Sequence, residues 1–248
     1  EPPTATLLQL LDCVNWAASA PVMPTLLTCM PALPVLAMVT TCALLDAPIM
    51  RLAKSSVVAL KEIFGANTIA VGQAAAVTLA GAVNNSGSVL RFTSAKGTTT
   101  LSSLTTNFGG STIFTGASSL TTVTNANGAS LQFNGSTNIT GSLNNLSGSY
   151  VEINAGGSIN LLSGDGVTRI NNVGVSINQR FNDGELQVNG SSSINQLLGN
   201  GRITLSNATL SVNDGATAGT IEGNGNLTKN SGSLLILSGA NVDNYTGN

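Results

Sequence analysis

Residues 128–154 read GASLQFNGSTNITGSLNNLSGSYVEIN, and the two ends of this stretch carry one pattern. The block ASLQFN at 129–134 is matched position for position by SYVEIN at 149–154. Leu131 and Phe133 alternate with polar neighbours, as one buried face of a strand requires. Gly135 and Ser136 then supply a turn, and Ile139, Leu143 and Leu146 add further apolar points before the pattern restarts. A repeat of roughly 20 residues is one coil of a solenoid, a unit that buries its apolar side only by stacking on copies of itself.

The same texture extends in both directions from Gly65 to Asn248. Short apolar–polar alternations bounded by Gly, Asn or Asp occur at 68–71, 76–79, 88–93, 112–115, 130–133, 150–153 and 158–162. They continue at 174–177, 185–188, 202–205, 209–212, 226–229 and 233–237, and none contains Pro. Aligning the bulky position places Phe92, Phe114, Phe133 and Ile153 in one column, with a spacing that drifts from coil to coil. Such drift suits coils with variable turns rather than strict hexapeptide or nonapeptide repeats. Parallel stacking aligns like residues, so Leu, Ile, Val and Phe form inward columns, while Asn and Thr form ladders from rung to rung. About 180 residues at roughly 20 per rung predict about nine coils, a stack of about 40 Å at the usual strand spacing.

Composition separates this region from what precedes it. All seven Pro, all three Cys and all four Met lie at or before residue 50, and all 28 Gly lie after it. The expected organisation is therefore a Pro-, Leu- and Thr-rich segment at 1–64 and a β-solenoid at 65–248. Between Asp12 and Asp46 there is no charge, but Pro21, Pro24, Pro31 and Pro34 would interrupt a spanning helix. Residues 35–45 read as a short buried helix, and 51–64, RLAKSSVVALKEIF, as a helix able to cap the solenoid. A frame-shifted or wrongly started leader explains the same composition break. Cys13, Cys29 and Cys42 have no metal-ligand spacing and read as buried apolar residues.

Over the whole chain 42% of residues are apolar and the net charge is −2. That balance argues against disorder, nucleic-acid binding and attraction to anionic membranes.

The stretch 223–248, GNGNLTKNSGSLLILSGANVDNYTGN, resembles the autotransporter-associated strand repeat. Its pattern runs G-x-G-x-L-T-K-x-G-x-G-x-L-x-L-x-G-x-N-x-Y-T-G. Gly223, Gly225, Leu227, Thr228, Lys229, Gly232, Leu235, Leu237, Gly239, Asn241, Tyr245, Thr246 and Gly247 carry the match. It departs at Asn230–Ser231, at Ser233 in place of a second Gly, and at the extra Val242–Asp243. The resemblance covers only this final stretch and implies a passenger region of a Gram-negative type V secreted protein, similar to rickettsial outer-membrane surface antigens. It further implies a right-handed parallel β-helix displayed at the cell surface, exported through a C-terminal β-barrel translocator that this chain does not contain. On that reading the chain is a fragment, its partner a host-cell surface protein or glycan.

The residues leave little room for catalysis. With no His, a Ser-His-Asp arrangement is excluded, and Lys54, Lys61, Lys96 and Lys229 sit in no recognisable motif. Asp165, Asp183 and Asp214 are each followed by Gly, and the spacing of Asp165 and Asp183 is close to one coil, which places them on adjacent rungs. As a carboxylate pair they would suit a carbohydrate-active β-helix; as Asp-Gly they are ordinary turn chemistry. Gly164–Asp165–Gly166 is a lone echo of calcium-binding repeats, and the Thr runs at 98–100 and 121–124 an irregular echo of ice-binding arrays. The expectation is an all-β right-handed parallel β-helix with a short helical N-terminal segment, non-catalytic, without catalytic, metal or cofactor residues, structural or adhesive in role. The alternatives are a carbohydrate-active β-helix using Asp165 and Asp183, or a decayed remnant.

Overall fold

The computed structural model describes residues 9–11, 25–27, 63–64, 68–73, 76–94, 97–230, 232–239 and 245–247. The chain divides into two compact units, Glu1–Leu36 and Ala37–Asn248. In the first, β1 (Gln9–Leu11) and β2 (Thr25–Leu27) form an antiparallel pair.

In the second unit every regular element among the described residues is a strand. The chain runs β3 (Ile63–Phe64), β4 (Thr68–Gln73), β5 (Val77–Ser86), β6 (Val89–Ser94), β7 (Thr99–Asn107), β8 (Ser111–Phe114) and β9 (Ser118–Asn125). It continues through β10 (Ser130–Phe133), β11 (Thr137–Asn145), β12 (Tyr150–Ile153), β13 (Gly157–Gly164), β14 (Val167–Ile170), β15 (Val175–Asn182) and β16 (Glu185–Val188). The last are β17 (Ser192–Gly199), β18 (Ile203–Leu205), β19 (Thr209–Thr217), β20 (Ile221–Gly223), β21 (Asn226–Lys229) and β22 (Leu235–Leu237). Even-numbered strands from β4 to β20 pair in sequence as a nine-stranded parallel sheet; odd-numbered strands from β3 to β21 form a second parallel sheet, with β22 also on β19. Two sheets filled alternately by one chain are a β-solenoid, here of about eight turns, which at the usual spacing makes a stack of about 38 Å.

The expected register is observed. Ser130 pairs with Tyr150 and Phe133 with Ile153, while Phe92 lies over Phe114 and Phe114 over Phe133. The column continues through Ile170, Val188 and Leu205. Phe92 and Phe114 stack at 4.7 Å, Phe114 and Phe133 at 5.2 Å. The coil joining the paired positions Val89 and Ser111 is longer than the one joining Tyr150 and Val167, because later turns contract to a tight Asp165–Gly166 link.

The long strands do more than alternate. In β9, Leu120 and Val123 are buried while Thr121 and Thr122 between them both face out; β13 does the same at Asn160 and Leu161, β17 at Asn195 and Gln196. Two outward residues in a row bend the strand once, so each long strand covers two sides and the coil has three faces. In β11 the bend holds one residue more, a bulge between Ile139 and Ser142. Gly141 occupies it because a Cβ there would sit 2.5 Å from Thr121 O.

The helices expected at 35–45 and 51–64 lie outside the described residues except for Ile63 and Phe64, which are strand and pair with Asn85 and Ser86. An open parallel edge offers those two residues inter-strand hydrogen bonds in place of helical ones.

Phe114→Ala removes a ring stacked on both sides and should cost about 3–5 kcal/mol, measured by chemical denaturation. Phe108→Ala, at a residue 67% exposed, should change stability by less than about 0.5 kcal/mol.

Candidate functional site

Three kinds of side-chain column run along the stack. The first is inside. Asn85, Thr106, Asn125 and Asn145 lie in register, all fully buried. Their amides donate to backbone carbonyls that a turn aims into the lumen: Asn85 to Ser111 O, Asn125 to Ala129 O and Tyr150 O, Asn145 to Val167 O at 2.8 Å. Asn125 also donates to Asn145 Oδ1 at 3.0 Å. These bonds give the buried amides partners inside the core, Ala129 O also accepting the Tyr150 N–H at 3.0 Å.

Arg180 is another buried polar side chain further along. Its position pairs with Leu162 and Leu197, yet the side chain is fully buried and its Nη2 donates to Gly184 O and Arg202 O. Nε and Nη1 have no partner. Burial pushes its pKa down to about 10, with Asp183 nearby opposing the shift. No sequence signal distinguishes Arg180 from a surface arginine; only its place in a column of leucines does.

The second kind lies outside the short-strand sheet and gathers charge. Arg91, Glu152, Arg169, Glu185, Arg202 and Glu222 all face outward there. Gln132 donates to Glu152 at 3.1 Å, Arg169 to Gln187 at 2.7 Å, and Arg202 bridges Glu185 at 2.7 Å and Glu222 at 3.3 Å. Partial burial alone would raise the Glu185 carboxyl, but hydrogen bonds from Gln187, Arg202 and Thr204 outweigh it and hold the pKa below the usual value. Glu185 in turn raises Arg202. Arg169 lies 5.4 Å over the Tyr150 ring; burial and Glu152 raise the Tyr150 phenol, which Arg169 partly offsets. Beside this network Asn134, Asn154, Asn171 and Asn189 form a ladder, each link 2.8 Å.

The third kind is neutral and polar and lies on the first half of the long strands. Asn160, Asn178, Asn195, Asn213 and Asn230 make a five-rung amide ladder with links of 2.6–3.1 Å. Next to it run Ser158, Ser176, Ser193 and Ser211. Asp214, beside Asn213 at the bend of β19, is the charged residue that faces outward here between β13 and β19. Past the bend, the outward column Phe181, Leu198, Ala216 and Ile236 turns apolar toward the last coil.

The candidate carboxylates separate into two situations. Gly164 pairs with Asn182, so Asp165 and Asp183 follow in the same turn of successive coils, both exposed. Asp183 Oδ1 accepts the Asn200 amide at 2.9 Å, so Asp165, Asp183 and Asn200 stack as three Asx-Gly turns. Asp214, which its following Gly would place in such a turn, lies within β19 opposite Gln196. The Gly after it is needed for close approach instead, since a Cβ on Gly215 would meet Leu197 O at 2.0 Å. Among the described residues, no three of His, Cys, Asp and Glu cluster as metal ligands, and no helix is long and apolar enough to cross a membrane.

Replacing Arg180 with Met, which suits its column, should leave the protein as stable or more stable by about 1–2 kcal/mol at pH 7. The folded pKa lies below the unfolded one, so the native chain bears the cost of the buried charge below about pH 10. That cost fades as pH rises beyond it. Denaturation at pH 7 and pH 10.5 should therefore show the gap between variant and native protein narrowing at the higher pH.

No family model, no curated protein and no solved structure matches this chain.

Proposed function

We propose that this chain is a passenger region of an autotransporter, displayed at a bacterial cell surface as a structural and adhesive β-helix rather than as an enzyme. The observation that carries this reading is the last coil. Leu227, whose amide donates to the Tyr245 hydroxyl at 2.9 Å, joins the Leu and Tyr of the strand-repeat pattern in one contact. Leu227, Leu235 and Tyr245 pack on the core, and Gly223 bridges Tyr245 in parallel. The pattern residues thus act as coil-forming residues at equivalent places in the stack, which is the part such a repeat would play. A stack of about eight turns with distinct outer faces suits presentation of side chains over a distance, and it needs no catalytic centre.

The test is display. The full chain, fused ahead of an outer-membrane β-barrel translocator in a Gram-negative host, should be cleaved by externally added protease, and displaying cells should adhere saturably to cultured host cells. Retention inside the envelope, or adhesion equal to that of cells carrying the barrel alone, would count against the reading. The carbohydrate-active alternative rests on the stacking of Asp165 and Asp183. If it holds, Asp165→Asn and Asp183→Asn each abolish release of reducing sugar from a polysaccharide while leaving the melting temperature within about 2 °C.

A further inference from the structure

Five asparagines in the chain are followed by glycine: Asn127, Asn134, Asn189, Asn200 and Asn224. Such a pair is chemically labile, because the glycine nitrogen can attack the asparagine side-chain carbonyl with no Cβ of its own in the way. The fold treats the five differently. Four of the glycines lie hard against the preceding coil. A Cβ on Gly135 would sit 2.3 Å from Gly116 C, on Gly190 2.2 Å from Asn172 C, on Gly201 2.0 Å from Gly184 O and on Gly225 2.3 Å from Ala208 O. On Gly128 it would meet nothing within 4 Å.

Hydrogen bonds sharpen the contrast. Gly190 N donates to Ile170 O at 3.2 Å and Gly225 N to Leu205 O at 3.1 Å, so both nitrogens are already committed. Their asparagines are held as well: Asn189 Nδ2 donates to Asn171 Oδ1 at 2.8 Å, and Asn224 Nδ2 to Asn207 Oδ1 at 2.9 Å. Asn127 and Gly128 are both exposed, at the tip of a turn that the 3.1 Å bond from Ala129 N to Ala126 O closes beneath them. Neither the Asn127 side chain nor the Gly128 N–H has a hydrogen-bond partner among the described residues. The left-handed φ of 54° at Asn127 is one that asparagine visits and leaves readily, so the tip can turn to bring Gly128 N onto the side chain.

We propose that Asn127 is a site of spontaneous covalent modification, deamidation through a cyclic imide, and that the fold shields Asn189 and Asn224 from the same reaction. Base removes the Gly128 amide proton, the nitrogen attacks Asn127 Cγ, and the Cγ–Nδ2 bond breaks as ammonia leaves with a proton. Water then opens the imide. Attack at Cγ yields aspartate; attack at the backbone carbonyl yields isoaspartate, whose main chain runs through the former side chain and is longer by a methylene. Nothing is oxidised or reduced, and water is the only co-reactant. Either product adds a carboxylate to the outer turn. Asn127 O accepts the Gly109 N–H at 3.0 Å, so isoaspartate also converts the acceptor of that coil-to-coil bond from a main-chain carbonyl into the new carboxylate. The modification goes beyond the surface reading above and is independent of it.

The full chain is incubated at mildly alkaline pH and mapped by peptide mass spectrometry, with aspartyl and isoaspartyl peptides separated by chromatography. Asn127 should convert faster than the other four, and about tenfold or more faster than Asn189 and Asn224, because reacting groups held out of alignment lose rate on that scale. In urea, where the turns no longer differ, the five pairs should convert at comparable rates. Asn127→Gly, which suits the positive φ, should fold as the native chain does and lose the early acidic shift seen on isoelectric focusing. Conversion of any other pair as fast as Asn127 in the folded chain, the same ranking in urea, or an early acidic shift that survives Asn127→Gly would overturn the proposal.

Discussion

A solenoid must turn its chain repeatedly in every coil, and at one of those turns backbone carbonyls point into the lumen where water cannot follow. The structure depends on how the polar side chains that turn in to meet them are paired. Asn85, Asn125 and Asn145 turn inward against the usual preference of polar side chains and donate to such carbonyls, while the Thr106 hydroxyl pairs with that of Thr112 at 2.8 Å. A buried amide without such partners would cost about 1–3 kcal/mol, so each of these side chains must find its partners within the stack. The inner column therefore shares one register with the apolar columns of Leu, Ile, Val and Phe that pack beside it.

Once the rungs are held in register, the outer faces follow almost without freedom. A residue facing outward on one coil meets its counterpart on the next at strand spacing. Asparagine answers itself there, since its amide carries both a donor and an acceptor, and two ladders result. Charges cannot stack on like charges at that distance, so Glu185, Arg202 and Glu222 alternate in sign. The three faces diverge in chemistry while sharing one core. That divergence is where a binding role can reside on a scaffold whose interior is devoted to packing.

Arg180 shows how far the inner requirement reaches. Its column holds leucines on either side, and a guanidinium there is expensive, as its lowered pKa records. Its coil lies between those of Gly164 and Gly199, and its Nη2 reaches two carbonyls, Gly184 O and Arg202 O. A long side chain with several donors substitutes for the shorter amides that precede it.

The sequence by itself determined the short strands, the coil length and the column of Phe92, Phe114, Phe133 and Ile153, because period-two alternation and a repeat of roughly 20 residues are carried in the order of the chain. It also contained the turns at Asp165 and Asp183, since Asp-Gly has a local conformational preference. The long strands were only half legible: their second halves hold Thr106, Asn125 and Asn145 facing inward, where alternation rules expect apolar side chains. The bend, the strand setting of Asp214 and the burial of Arg180 were decided by tertiary structure alone. Each depends on what the neighbouring coil, a full turn of chain away, places above and below it, and a local pattern holds no record of that neighbour.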